Sequence, residues 1–399
     1  MIPILSILGR IAFVLAILPL LFASAPARAG VTLAAVEART GMARDDGIPA
    51  LEGMRLAVSE INAAGGLFGE PLTLVEIDHR STPIGAKQAG EEAVRLGVQG
   101  VVGSIWSGHS MALARVCQEA GVPMISPGST RPELTRIGDF VFRVCYTDDF
   151  QGRILAGFAR GTLNAETAAV LVNCNEPYSQ ALAEFFSRDF VRRGGRLVHE
   201  DFYKGDAVDF SGILRSAAEA GPDLVFVPGY SRDSGLLLRQ ARALGLASVF
   251  LGADAWDGPI QRYAGEALEG SFFSNHWHPG IDSPENRTFL AAFRRTYGDR
   301  DISVFAALGY DAAMLFADAI RRAGSADRAA IRNALAATRG FRGATGAISF
   351  DEHGDPEGKT AGILTRKDGR WRLVRMVGAE ETADAGDGPA AGSDSGTCP

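Results

Sequence analysis

Residues 91–103 read EEAVRLGVQGVVG and residues 215–229 read RSAAEAGPDLVFVPG. Each is the end of an amphipathic run, a glycine that stops it, a short apolar run and a second glycine. Glycine just past a periodic stretch is a helix stop, because it enters the left-handed region without steric cost. A short apolar run after such a stop fits a strand buried on both faces. The same order of signals in two distant parts of the chain predicts two copies of one helix-to-strand architecture.

The flanks extend the pattern. Upstream of the first copy lie VTLAAV (31–36), the helical ALEGMRLAVSEINAAGG (50–66), LTLVEID (72–78) and a second helix, IGAKQAGEEAVRLG (84–97); SMALARVCQEAG and VPMISPG follow to residue 128. Around the second copy, ETAAVLVN, SQALAEFFSRDFVRRGG, RLVHEDFY, DFSGILRSAAEAG, RDSGLLLRQARALG and SVFLGAD repeat the alternation between residues 166 and 254. Strands alternating with helices imply parallel sheets covered on both faces, so the fold class is α/β with two similar Rossmann-like lobes. Three late helical stretches (287–298, 304–324, 327–340) and three short apolar runs (345–351, 360–366, 371–377) close the chain. If the late helices return to the first lobe, the chain crosses between lobes three times, and such crossings form a hinge.

Composition narrows the function. The 399 residues, 46% hydrophobic and 22% charged, suffice for two cores. A formal charge of -7 and no block of Lys or Arg argue against nucleic acid or an anionic membrane as the main partner. Arg10, the apolar IAFVLAILPLLFA (11–23) and Ala27-Arg28-Ala29 read as an export signal, residues 1–29, cleaved near Ala29 to leave a periplasmic product. The tail at residues 378–399, rich in Gly, Ala, Asp and Ser, reads as disordered. Cys117, Cys145, Cys174 and Cys398 are too scattered for a disulfide framework or a CxxC metal site; the first three read as buried free thiols.

The stretches AVSEINAAGGLFGEPLTLVEID, ISPGSTRPELT, FVFRVCYTDDFQG, DLVFVPGY, FLGADAWDG, FAALGYDAAMLFADAIRRAG and GAISFDEHGDP, in this order from about Val31 to Val377, resemble the periplasmic leucine/isoleucine/valine-binding proteins of ABC importers. The resemblance implies a type I periplasmic-binding fold with an N-terminal lobe at 30–147 plus 279–354 and a C-terminal lobe at 148–278 plus 355–377. It implies a monomer that captures an amino acid between closing lobes and delivers it to a membrane permease, with no cofactor and no covalent chemistry.

A free amino acid needs a cradle for its carboxylate, an acceptor for its ammonium and a pocket for its side chain. GSIWSGHS (103–110) lies at a strand-to-helix junction, where free amides and hydroxyls suit a carboxylate; Ser107 is the expected hydroxyl, beside the Gly108 and His109 amides. The resemblance adds Gly128 and Ser129 through their backbones and Thr130 through its hydroxyl. The plainer role for Ser129 or Thr130 is to cap a helix beginning near Arg131-Pro132, with Glu133 as capping partner. The resemblance places Asp254 on the ammonium, in place of the family's common glutamate; the competing role, capping the next helix, suits Asp257 better. It also implies that Tyr178 and Tyr230 cover the ligand. Trp106, Asp46 and Phe305 stand where the side-chain pocket would be. A bulky Trp shrinks that pocket and a buried acid disfavours a purely aliphatic tenant. Asp45 and Asp46 otherwise read as a solvated loop. Asp148 and Gln151 either organise the first crossing or approach the ammonium.

Other chemistries fit less well. Ser107 and His109 lack a GxSxG elbow and a third triad member. No GxGxxG follows the first strand. His276 and His278 have the spacing of two metal ligands on one strand face but no further cluster beside them. The rival is a binder or sensor of the same fold for an amide, urea or a small aromatic carboxylate.

Overall fold

A computed structural model describes residues 30–378. The leader at 1–29 and the tail beyond Gly378 lie outside the described residues. The chain begins with β1 (Thr32–Glu37), α1 (Arg44–Ala63), β2 (Thr73–Asp78), α2 (Pro83–Arg95), β3 (Gly100–Val102), α3 (Ser107–Glu119), β4 (Met124–Ser126) and β5 (Val141–Arg143). These strands form one sheet in the order β2-β1-β3-β4-β5, parallel throughout. The chain continues through α4 (Asp148–Gly161), β6 (Thr167–Asn173), α5 (Pro177–Arg192), β7 (Arg196–Tyr203), α6 (Ser211–Ala220), β8 (Leu224–Phe226), α7 (Ser231–Ala243), β9 (Val249–Gly252), α8 (Ile260–Ala264) and β10 (Phe272–Asn275). In the second sheet the order β7-β6-β8-β9-β10 reproduces that of the first. The repeated signature thus marks the second helix and third strand of each copy.

After β10 come α9 (Pro284–Tyr297), α10 (Val304–Ala323), α11 (Arg328–Ala336), the hairpin β11 (Phe341–Gly343) and β12 (Gly346–Ile348), then β13 (Ala361–Lys367) and β14 (Arg370–Val377). The last two strands join β10 antiparallel at the edge of the second sheet. α10 lies along α1, and the two backbones touch where glycine permits it. A Cβ on Gly53 would stand 1.9 Å from the Ala306 carbonyl oxygen, and one on Gly309 2.3 Å from that of Ala50. The late helices therefore belong to the first lobe, and the chain passes between lobes at 144–147, 276–283 and 349–360.

Three local features differ from the sequence reading. α1 starts at Arg44 and carries Pro49 inside its first turns, so Asp45 and Asp46 are helical and not a loop. α4 and β5 were not anticipated as elements. Cys117 and Cys145 are free and buried, but Cys174 is disulfide-bonded. It sits half-buried in the turn after β6, where a thiol is accessible to a bridge. Among the described residues no helix is long and apolar enough to cross a membrane.

Candidate ligand cleft

In an open parallel sheet the strand order reverses at one point, and the loops leaving the carboxyl ends there splay apart to form a crevice. This protein has two such points, β1/β3 and β6/β8, and they face each other. Asp46 on α1 follows β1, and Trp106 follows β3; Tyr178 opens α5 after β6, and Tyr230 follows β8. The rings meet across the gap. Trp106 stacks on Tyr230 with centroids 3.6 Å apart and planes 5° apart, and Tyr230 lies 5.3 Å from Tyr178. An Arg131 guanidinium bond to the Pro177 carbonyl (2.8 Å) and the Arg262–Asp45 ion pair (2.8 Å) also join the lobes. The cleft is shut in this structure.

Asp254 opens a single turn after β9 and is 3% exposed. Its Oδ1 accepts from the Tyr178 hydroxyl (2.8 Å) and from Gln151 Nε2 (2.7 Å), and Oδ2 faces His276 Nε2 at 3.0 Å. A carboxylate only accepts, so Nε2 of His276 carries the proton. Burial, opposed by the Asp254 carboxyl beside it, holds the His276 pKa below its usual value.

Asp148 begins α4 and is fully buried, with both carboxyl oxygens unpartnered. Its amide donates to the Thr130 carbonyl (2.8 Å), tying the first crossing to the loop after β4. Burial pushes its carboxyl well above the usual range, and the adjacent Thr130 hydroxyl offsets this only in part. The two groups are close without completing a hydrogen bond, which leaves the Thr130 hydroxyl free. Asp46 accepts from Trp106 Nε1 (2.8 Å) through Oδ2, while Oδ1 has no partner. Burial first, then the nearby Asp257, Asp45 and Asp254, raise its pKa to about 7. Among the described residues no Lys or Arg side chain hydrogen-bonds or ion-pairs with Asp46, Asp148 or Asp254.

The same architecture identifies the lineage. The model of the periplasmic binding protein family matches residues 30–367. The chain belongs to this family. Relatives of this binding protein include the leucine-, isoleucine-, valine-, threonine- and alanine-binding protein of Pseudomonas aeruginosa, 31% identical over 76% of this chain and 81% of that one. Among solved structures, a leucine binding protein from Thermotoga maritima superimposes with a TM-score of 0.84 at 34% identity, covering 88% of this chain and 99% of its own. The branched-chain amino acid transporter substrate binding protein LivJ from Streptococcus pneumoniae, in complex with isoleucine, gives 0.82 at 29% identity, covering 88% and 99%.

Within this binding protein the residues singled out from sequence converge, but several do different work. Ser107 is buried at the first position of α3, and neither its amide nor that of Gly108 has an acceptor among the described residues. The His109 amide is not available as expected: it closes onto the Trp106 carbonyl at 3.1 Å. No hydrogen bond joins Ser107 to His109, whose ring lies between Trp106 and His79. Ser129 turns inward. Its hydroxyl bonds the Ile105 carbonyl (2.8 Å) and Ser110 Oγ (2.6 Å), its amide donates to Ser126 Oγ (3.1 Å) and its carbonyl accepts from Arg143 (2.8 Å). It builds the cradle instead of facing the cleft. Neither Ser129 nor Thr130 caps the turn at Pro132–Ile137; Glu133 pairs with Arg131.

Gly128 packs against the pocket wall, where a Cβ would come within 3.3 Å of Ile105 and of Phe305. Phe305 is buried in the first turn of α10. Asp257 caps no adjacent helix but accepts from Ser303 Oγ (2.6 Å) and the Val304 amide (2.9 Å), at the start of α10 in the other lobe. His276 serves Asp254 and no metal site, and among the described residues no cluster of His, Cys, Asp or Glu is arranged to hold one. Sequence reading missed Glu37, which ends β1 and accepts from Ser104 Oγ and the Ile105 amide (both 3.3 Å), and so fixes the cradle from below. An acid ending an otherwise apolar strand was its only signal.

Proposed function

We propose that this protein captures a free α-amino acid in the periplasm and presents it to the membrane permease of an ABC importer. The observation that carries the reading is an asymmetry between lobes. The first lobe offers donors, the Ser107 and Gly108 amides at the positive end of α3 and the free Thr130 hydroxyl, which suit a carboxylate. The second offers Asp254, buried and paired with no cationic side chain, which suits an ammonium through a charge-assisted bond. A zwitterion fills both. Tyr178 and Tyr230 cover it and Trp106, Asp46 and Phe305 border its side chain. The leader at 1–29 supports export, and the relatives that bind leucine or isoleucine support the ligand class. The chemistry is capture and release, with no bond made or broken.

The test is thermal unfolding of the mature protein with each common amino acid, amides and small carboxylates. A ligand bound only by the folded state at a hundredfold excess over Kd adds about 3 kcal/mol and raises Tm. At least one amino acid raises Tm in the wild type and none does in Asp254→Ala, whose unliganded spectrum is unchanged. An equal rise in both proteins refutes the ammonium role.

A further inference from the structure

A recess adjoins the Trp106–Tyr230 stack, bordered by both rings but by neither Asp254 nor Tyr178. In the shut cleft its interior has only about 30 Å³ of space that water could reach, and about 440 Å³ when the open mouth is counted, so a side-chain head seats here as the lobes part and close again. Four carboxylates stand in its wall, Asp45 and Asp46 from the first lobe and Glu176 and Asp233 from the second, together with the Tyr263 ring; of these Asp45 is already paired with Arg262 (2.8 Å). Asp46 is 3% exposed and its Oδ1 has no partner. Glu176 precedes α5 without capping it. Burial, then the neighbouring Asp233, raises its pKa to about 8. Asp233, also buried, is held by the Tyr203 hydroxyl (2.7 Å) and Asn173 (3.1 Å), which fixes its carboxylate at the wall. Arg232 is the one cationic residue there, and its guanidinium bonds the Gly205 and Ala207 carbonyls rather than a carboxylate.

An aliphatic side chain ending here would desolvate the carboxylates without offering a donor, which is costly. An ammonium or guanidinium would meet an unpartnered carboxylate oxygen and the faces of aromatic rings, the two features that hold organic cations. The methylene stem of such a side chain lies well along aromatic surface.

Resting on the reading that the cleft binds an α-amino acid, we infer that this recess seats a cationic group at the far end of the ligand's side chain, so that the preferred substrates are basic amino acids of the lysine, ornithine or arginine class. The substrate class then differs from that of the leucine- and isoleucine-binding relatives. The difference originates in Asp46, Glu176 and Asp233.

Titration calorimetry of the mature wild-type protein with lysine, arginine, leucine and norleucine, which is lysine without its distal ammonium, decides the matter. Lysine or arginine is expected to bind about tenfold or more tighter than norleucine, the ratio for a hydrogen bond to a charged group. Asp46→Asn, which keeps an acceptor for Trp106, removes most of that advantage, read as the ratio of lysine to norleucine affinity. Glu176→Gln, which does not touch the Asp46–Trp106 bond, lowers lysine affinity severalfold and norleucine affinity not at all. Norleucine or leucine binding as tightly as lysine and arginine overturns the inference and leaves amino-acid capture standing. Equal losses for lysine and norleucine in both variants overturn it too. No binding of any amino acid, with Tm unmoved across the whole set, removes the underlying reading and this inference together.

Discussion

Asp46 makes the shut form of the protein pH-sensitive in a way that Asp46→Asn isolates. Its carboxyl is raised from 3.8 to about 7 by burial and by the facing acids Asp257, Asp45 and Asp254, with the Trp106 indole its only donor among the described residues. A carboxyl whose folded pKa lies above its unfolded pKa contributes its full stability below the unfolded value and loses it as pH rises through the folded one. The loss is about 1.4 kcal/mol per pH unit, or about 4 kcal/mol accumulated between pH 4 and pH 7. Asparagine keeps the acceptor for Trp106 Nε1 and cannot ionise. Any fixed cost of its extra amide hydrogens is the same at every pH, so the gap between variant and wild type carries the titration. Urea unfolding should show the variant gaining on the wild type by up to about 1.4 kcal/mol per unit from pH 5 to 7, in proportion to the share of folded molecules with the lobes shut, flattening above about pH 8. Parallel stability curves would mean that Asp46 ionises in the folded state without penalty, and the argument that this cleft wants a cation would lose its energetic basis.

Two further outcomes test the architecture. Ser129→Ala strips the Ile105 carbonyl and Ser110 hydroxyl of a buried partner and should cost about 1–3 kcal/mol in denaturant unfolding, with the rank order of ligands unchanged; a changed rank order would put Ser129 at the ligand after all. Solution scattering should show the radius of gyration falling when a ligand that raises Tm is added, since the lobes are joined by three passages and touch only through contacts such as Trp106 on Tyr230 and Arg131 on Pro177. Superimposable profiles with and without saturating ligand would contradict hinge closure.

How far the chain could be read depended on whether a feature is local. Helix stops, buried strands and their repetition are local, and they delivered two sheets with helices on both faces. α4 escaped because Gly152, Gly157 and Gly161 make its sequence look like a poor helix. Gly152 is there for packing: a Cβ would stand 2.6 Å from that of Phe185 on α5. The site residues lie where strands end, so topology points to them. The bonds they make are set by partners far away in sequence. Trp106 and Asp46 are 60 residues apart, Gln151 and Asp254 103. No spacing rule reaches that far, and so Asp46 could not be told from a loop acid or His276 from a metal ligand.

Because the two sheets share one strand order, β4 of the first lobe and β9 of the second occupy equivalent places. The loops leaving them carry Thr130 and Asp254, a free hydroxyl and a buried acid. On the proposed reading this departure from symmetry, with the Ser107 and Gly108 amides beside Thr130, is what recognises a zwitterion. Two copies of one lobe would present the same chemistry twice, a donor facing a donor or an acid facing an acid. A donor in one copy and an acid in the other give the closed cleft a partner for each end of the amino-acid head group. The side chain is then judged by what else borders the gap, and here that is Trp106, Tyr230 and acids.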